Sequence, residues 1–112
     1  MILIYIFFLH WVGDFLFQTN WMATNKSHNF IALITHVSIY TLTLTLGTII
    51  VFNFKFLLIN FIAHGLTDFL TSKVTSKLWQ RNDIHNFFVV VGFDQYIHAV
   101  TLILTVESIL NK

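Results

Sequence analysis

The chain has 112 residues, of which 56% are hydrophobic and only 10% are charged, and its mean hydropathy is +0.76. A soluble domain carries about a quarter charged residues, so this chain has too little charge to cover a water-exposed surface. Its formal net charge of +1 and its lack of cysteine exclude a nucleic-acid binder and a disulfide scaffold. The composition is typical of a small integral membrane protein.

Four apolar stretches follow one another along the chain, and each fits a membrane-crossing helix of about 20 residues. The predicted helices cover about residues 2–18, 30–52, 56–72 and 86–110, within a single transmembrane domain of residues 1–112. The first stretch has no basic residue ahead of it and no small-residue cleavage site after it, so we expect it to be retained rather than cleaved as a signal peptide. The predicted fold class is all-α, an integral membrane four-helix bundle.

Basic residues are unevenly divided between the two ends of the predicted bundle. The end with Lys55 and Lys112 also holds the N-terminus. Cytoplasmic loops are enriched in Lys and Arg, so we expect the longer links to be cytoplasmic and both termini to be outside. The links after the first and third predicted helices hold the larger share: Lys26, Lys73, Lys77 and Arg81.

Two segments of the chain look alike. The pattern His-x-x-x-Asp-Phe-Leu begins at His10 and begins again at His64. A looser pair of segments begins at His36 in the second predicted helix and at His98 in the fourth. The bundle is therefore predicted to consist of two repeated helical hairpins, each with His-x-x-x-Asp on its first helix and a His on its second.

Polar residues inside the predicted spans form stripes, because residues four apart share one face of a helix. At about 1.5 Å per residue, these stripes reach one common layer in the cytoplasmic half of the bundle. His36 stands alone on the second helix. The three stripes are His10 with Asp14 and Gln18, Asn60 with His64 and Asp68, and Asp94 with His98.

Carboxylates at membrane depth need partners, and no Lys or Arg falls inside the predicted spans. Nitrogen and oxygen ligands without thiolate suit a divalent metal, zinc first and manganese or iron as alternatives. Seven side chains exceed the need of one tetrahedral site, so one or two ions are expected. The predicted metal ligands are His10, Asp14, His36, His64, Asp68, Asp94 and His98. A metal-free His/Asp network, structural or proton-conducting, is the alternative. Three amides are predicted to support the ligands through hydrogen bonds: Gln18, Asn60 and Gln95.

The pattern His10-x-x-x-Asp14-Phe15-x-x-Gln18, followed by a mid-chain His-x-x-x-Asp and a late Asp-Gln-x-x-His that ends at His98, resembles a known family. That family consists of small bacterial and phage membrane proteins of unknown function, and the resemblance spans nearly the whole chain. It implies a four-helix membrane protein, which we expect in the bacterial inner membrane, and it supplies no activity. The His-x-x-x-Asp pairs alone are more weakly similar to bacterial membrane-bound metal-dependent hydrolases.

A metal-dependent hydrolase of a lipid or lipid-linked (phospho)ester is the first functional hypothesis. Asp94 or His36 is the predicted general base, and Lys73 or Lys77 is expected to reach in from its link to steady a phosphate. Membrane lipid is the expected partner, and a homo-oligomer or a partner membrane protein is expected to complete the small pocket. The alternatives are a transporter or channel for metal ions or protons, a b-type haem bundle, and a structural accessory subunit.

Overall fold

The computed structural model describes residues 1–48 and 53–111, and every regular element there is helical. The all-α class is therefore confirmed, with five α-helices rather than four. They are α1 (Ile2–Trp11), α2 (Asn20–Asn25), α3 (Phe30–Thr48), α4 (Phe54–Gln80) and α5 (Ile84–Leu110). Residues 49–52, the predicted end of the second helix, lie outside the described residues.

The first predicted helix ends differently from the sequence expectation. Regular α-helix stops at Trp11 and continues as a π-helical turn, Val12–Leu16, in which the Phe17 N–H donates to the Val12 carbonyl at 2.9 Å. This wider turn buries both Gly13 and Asp14, which an α-helical turn would place about 100° apart. The sequence predicts one continuous helix because hydropathy does not report a local change in helix pitch.

The polar link after the π-helical turn contains a short helix that the sequence prediction lacks. Thr19 Oγ1 caps α2 by accepting from the Met22 N–H at 3.3 Å, and Met22 is buried. Helix α3 begins after Asn29, whose Oδ1 accepts from the Ile31 N–H at 2.9 Å. The link is thus a folded cap over one end of the bundle, where α2 contacts α3.

Helix α4 runs to Gln80, two turns beyond the predicted end near residue 72. Polar residues in this stretch mark the end of the apolar segment, whereas the helix itself ends only where Asn82 adopts φ 57°. Asp83 then caps α5 by accepting from the Asn86 N–H at 3.3 Å. The side-chain and backbone hydrogen bonds from Asn86 lower the pKa of the exposed Asp83 carboxyl below its usual value.

The four long helices pack as an antiparallel ring in which α1 contacts α3, α3 contacts α4, α4 contacts α5 and α5 contacts α1. The antiparallel direction of α1 and α3 follows from two hydrogen bonds, Tyr5 Oη to the Gly47 carbonyl at 2.8 Å and His10 Nδ1 with Tyr40 Oη at 2.9 Å. Helices α4 and α5 are joined by the short link 81–83, which favours their antiparallel packing.

Every fourth residue of the long helices points inward, as the polar stripes predict. One half of the interior is an apolar plug, defined as Ile6, Leu9, Tyr40, Leu44, Phe56, Leu102 and Val106. The other half is polar. Its buried polar residues are His10, Asp14, His36, His64, Asp68, Ser72, Asp94 and His98. The interior thus changes from apolar to polar along the bundle axis.

The outer surface is strongly apolar. Large side chains such as Phe30, Leu46, Leu66 and Phe88 are each more than 60% exposed. Two of the described helices, α3 and α5, are long and apolar enough to cross a membrane, and the apolar segment Ile2–Leu16 is shorter. The sequence predicts four such spans.

Close packing of the π-helical turn on α3 depends on Gly13. A Cβ atom on Gly13 would lie 3.1 Å from Tyr40 Cδ2 and 3.3 Å from Tyr40 Cα, whereas a Cβ on Gly92 would meet nothing within 4 Å. We expect Gly13→Ala to lower the free energy of unfolding by about 1–2 kcal/mol, since overpacking outweighs the helix propensity of Ala. Gly92→Ala, the matched control, is expected to raise it by up to about 1 kcal/mol. Thermal unfolding in detergent, followed by circular dichroism, measures both, and equal midpoints for the two variants would contradict the close contact.

Candidate metal centre

Four ligand-type atoms from three parts of the fold converge at the centre of the polar layer. His36 Nε2 lies 3.0 Å from Asp14 Oδ1, 3.0 Å from Asp68 Oδ2 and 3.1 Å from His64 Nε2. His64 Nε2 in turn lies 3.3 Å from each of the same two carboxylate oxygens. The four residues are buried and suited to hold one ion, and we call them the four-residue cluster.

Protons alone do not satisfy the four-residue cluster. An Nε2 atom carries at most one hydrogen, so the ring of His36 can donate to only one of its three close neighbours. If His64 were protonated at Nε2 as well, two N–H groups would face each other across 3.1 Å. A cation at the centre would satisfy all four atoms at once.

The spacing of these atoms agrees with tetrahedral coordination. Metal–ligand bonds of about 2.0–2.1 Å, as for zinc with His nitrogen and carboxylate oxygen, place neighbouring ligand atoms about 3.3 Å apart. The five separations described for the four-residue cluster lie between 3.0 and 3.3 Å. The His rings are held by stacking. The ring of His64 lies between Tyr40, with centroids 3.9 Å apart, and His98, at 4.1 Å.

A second group of ligand-type atoms lies beside the first and consists of Asp14, Asp94 and His98. His98 Nε2 lies 3.1 Å from Asp94 Oδ2 and 3.1 Å from Asp68 Oδ1. The carboxylates of Asp14 and Asp68 therefore connect the two groups. Shared carboxylates of this kind also connect the metal ions of two-ion sites in helix bundles.

A chain of hydrogen bonds runs from the apolar plug to the carboxylates. His10 Nε2 donates to Gln95 Oε1 at 2.7 Å, which leaves His10 Nδ1 to accept from the hydroxyl of Tyr40 at 2.9 Å. Gln95 Nε2 then donates to Asp14 Oδ2 at 2.9 Å and to Asp94 Oδ2 at 3.1 Å. With both ring nitrogens engaged, His10 orients the Gln95 amide toward the carboxylates.

Lys26 brings a positive charge to the cluster. Its Nζ donates to Asp68 Oδ2 at 3.2 Å and to Gln18 Oε1 at 2.9 Å, and its side chain is only 17% exposed. If the imidazoles are neutral, as metal ligation requires, this ammonium and the three buried carboxylates of Asp14, Asp68 and Asp94 give the site two negative charges. One divalent cation would neutralise them.

A cavity of about 500 Å³ opens beside the cluster between α2, α4 and α5, and we call it the site cavity. Asp14, Asp94 and Gln95 form its inner wall. Other lining residues combine apolar side chains with hydroxyls, namely Phe15, Trp79, Phe87 and Val91 with Thr24, Thr71, Ser72, Thr75 and Ser76. A ligand in the site cavity reaches Asp94 directly, whereas His36 is 0% exposed and is not among the lining residues.

The structure places most of the predicted ligands, but not all of them, at the candidate metal centre. It brings six of them into the two groups: Asp14, His36, His64, Asp68, Asp94 and His98. His10 lies outside both, with its Nε2 3.7 Å from Asp14 Oδ2. Gln95 hydrogen-bonds His10, Asp14 and Asp94. Gln18 accepts from Lys26 instead of a predicted ligand, and Asn60 donates to Thr105 and to its own helix.

Sequence reasoning missed Lys26 and expected Lys73 or Lys77 instead. Lys73 Nζ donates to the Ser27 carbonyl at 2.9 Å, and Lys77 is exposed. It also missed Tyr40 and Thr71, whose hydroxyls contact His10 and Asp94. Thr71 precedes Ser72, the last buried residue of the α4 stripe, so the four-residue periodicity does not select it. Only the packing of α4 against α5 brings its hydroxyl to Asp94.

The fold and the site together define a helical bundle with a buried His/Asp cluster that can hold a metal ion. The family model described as "Protein of unknown function (DUF3307)" matches residues 2–112. The chain therefore belongs to this family, which confirms the resemblance to a family of unknown function over nearly the whole chain. No curated protein and no solved structure matches the chain.

Proposed function

We propose that this protein is a membrane-embedded metalloenzyme that hydrolyses a lipid or lipid-linked (phospho)ester at the site cavity. The four-residue cluster is the observation that carries the proposal, because five separations among its ligand atoms are 3.0–3.3 Å, close to those of a tetrahedral site, and one hydrogen on each Nε2 atom cannot serve all these contacts. Zinc is the ion that fits this spacing and this ligand set best.

The distribution of side chains supports a location in the membrane. The described helices expose Phe, Leu and Ile and bury His and Asp, which is the arrangement expected when lipid is the solvent. Lys73, Lys77 and Arg81 lie at the end of the bundle where the site cavity opens, and Trp79 lies beside them. By the positive-inside rule this end is cytoplasmic, with both chain termini outside, and the bacterial inner membrane is the proposed location.

Different side chains around the site cavity have different roles in the proposed hydrolysis. A divalent ion in the four-residue cluster would have to take a fifth ligand from the site cavity, and in that state it would supply Lewis-acid chemistry to the ester oxygen and make water a better nucleophile. Asp94 faces the cavity and takes a proton from the attacking water, whose oxygen bonds to the carbonyl carbon or phosphorus. As the ester bond breaks, Asp94 returns the proton to the departing alcohol oxygen. His36 is enclosed in the cluster and acts as a ligand rather than as the base.

The apolar plug favours hydrolysis over transport. An ion path needs polar groups through the whole bundle, and the described interior beyond Tyr40 is mainly apolar, with Leu44, Leu102 and Val106, although Asn60 and Thr48 are also buried there. The hydroxyls of Thr101 and Thr105 donate to carbonyls of their own helix at 2.9 and 2.8 Å. The site cavity is therefore the proposed route to the cluster.

Elemental analysis of the full chain purified in detergent tests the proposal. We expect about one zinc, manganese or iron ion per chain, and no Soret band in the visible spectrum. A free metal concentration of about 100 times Kd would stabilise the fold by about 2.7 kcal/mol, so a chelator should lower the thermal midpoint. A metal-free chain whose midpoint is unaffected by chelators and by added zinc would overturn the proposal.

A further inference from the structure

The site cavity contains a buried hydroxyl without a partner. Ser72 is 5% exposed, and its Oγ has no hydrogen-bond partner among the described residues. It lies one helical turn after Asp68 on the inward stripe of α4, and it lines the site cavity. An unsatisfied buried hydroxyl is destabilising, so a ligand atom that accepts its hydrogen would be favoured there.

Lys26 lines the same cavity and retains a donor for a ligand. An ammonium has three N–H groups. Among the described residues, two of them are used, by Asp68 and by Gln18. Asp68 and Gln18 also fix the position of the ammonium, so a ligand does not have to order a free lysine side chain.

Apolar side chains also line the site cavity. Trp79 and Phe87 contact each other with ring centroids 5.1 Å apart, and both line the cavity together with Val91. Trp79 is 58% exposed, as expected for an indole at a membrane interface. The cavity thus joins a cationic, hydroxyl-rich side to an apolar side.

We propose that the site cavity binds the terminal phosphate of an anionic lipid, with Ser72 Oγ and Lys26 Nζ as donors and the lipid chain along Trp79 and Phe87. This substrate class rests on the proposed function in one respect: a phosphate can approach the carboxylates of Asp14 and Asp94 only when a metal ion has neutralised the site. Hydrolysis then adds the water oxygen to phosphorus, breaks the P–O bond to the lipid alcohol, and releases inorganic phosphate.

Calorimetric titration of the zinc-loaded full chain in detergent tests this proposal. The ligand is a short-chain diacyl phosphonate, in which a methylene replaces the ester oxygen so that it is not consumed. We expect Ser72→Ala to weaken binding about tenfold and Lys26→Met by at least as much, whereas Lys26→Arg restores most of the affinity. The exposed control variants Ser108→Ala and Lys77→Met should bind within about twofold of wild type.

Two further ligands show whether the affinity comes from the phosphate or from the lipid chain. The metal content is measured on every sample. Diacylglycerol of the same chain length lacks the phosphate, inorganic phosphate lacks the chain, and both should bind at least about tenfold more weakly. Equal binding of either one, or wild-type affinity of Ser72→Ala with a full complement of metal, overturns the lipid-phosphate proposal and leaves the metal centre standing. Equal affinity of the metal-free chain for the phosphonate would overturn the requirement for a metal ion in lipid-phosphate binding, while the metal centre is tested separately by the metal content.

Discussion

Replacing either His36 or His64 with Ala is expected to weaken zinc binding by more than about 100-fold, since removal of a supporting residue alone costs 10–100-fold. Each ring contributes its Nε2 atom to the four-residue cluster, at 3.0–3.3 Å from both carboxylate oxygens. Without one nitrogen, three ligands and two negative charges remain in a buried site. Competition with a coloured zinc chelator measures the affinity, and elemental analysis measures the occupancy.

Two other histidine variants, His85→Ala and His10→Ala, serve as comparisons for these two. His85→Ala changes an exposed ring in the first turn of α5 and should leave zinc affinity unchanged. His10→Ala removes a buried ring that acts through Gln95. It should weaken zinc binding by about 10–100-fold, which is less than the effect of His36→Ala and more than that of His85→Ala. If His10→Ala lowers zinc affinity as much as His36→Ala does, His10 is a ligand as the sequence predicts. Stoichiometric zinc in both His36→Ala and His64→Ala would contradict the cluster.

The periodicity of the sequence was sufficient to predict which faces turn inward. His64 and Asp68 are four apart on α4, and Asp94 and His98 are four apart on α5, so each pair shares a buried stripe in the structure. Helix geometry fixes these directions locally, and the antiparallel ring then brings the stripes to one level. Within each predicted hairpin the Asp lies near the His of the second helix, Asp14 at 3.0 Å from His36 and Asp68 at 3.1 Å from His98, but His36 also lies 3.0 Å from Asp68 of the other hairpin.

The finer features depend on packing that the sequence does not report. The π-helical turn at Asp14 changes the relation between His10 and the carboxylate, so the first repeat departs from the second, and His64 rather than His10 enters the four-residue cluster. Lys26 reaches the site only because α2 folds over the end of α3. A basic residue in a polar link gives no sign of such a position, because the same composition is typical of a solvated loop.

Asp94→Asn is expected to lower the hydrolysis rate by about 10²–10⁴, the usual contribution of a general base, while zinc content stays at the wild-type level. Asp94 lines the site cavity, and its two oxygens accept from Thr71 Oγ1 and Gln95 Nε2. It is not a member of the four-residue cluster, so the amide removes the base without removing a ligand of that cluster. Release of inorganic phosphate from a short-chain lipid phosphate measures the rate.

Asp83→Asn is the matched control. This carboxyl caps α5 at the exposed end of the helix, and Asn caps a helix about as well as Asp, so both rate and zinc content should be unchanged. Loss of zinc in Asp94→Asn would assign Asp94 as a ligand, through the group that it forms with Asp14 and His98, and would reject its role as the base. Unchanged turnover with unchanged zinc would reject both roles. Only a fall in rate at constant zinc fits a carboxylate that touches the reacting water, because a residue with a purely structural role would alter the fold and the metal content together.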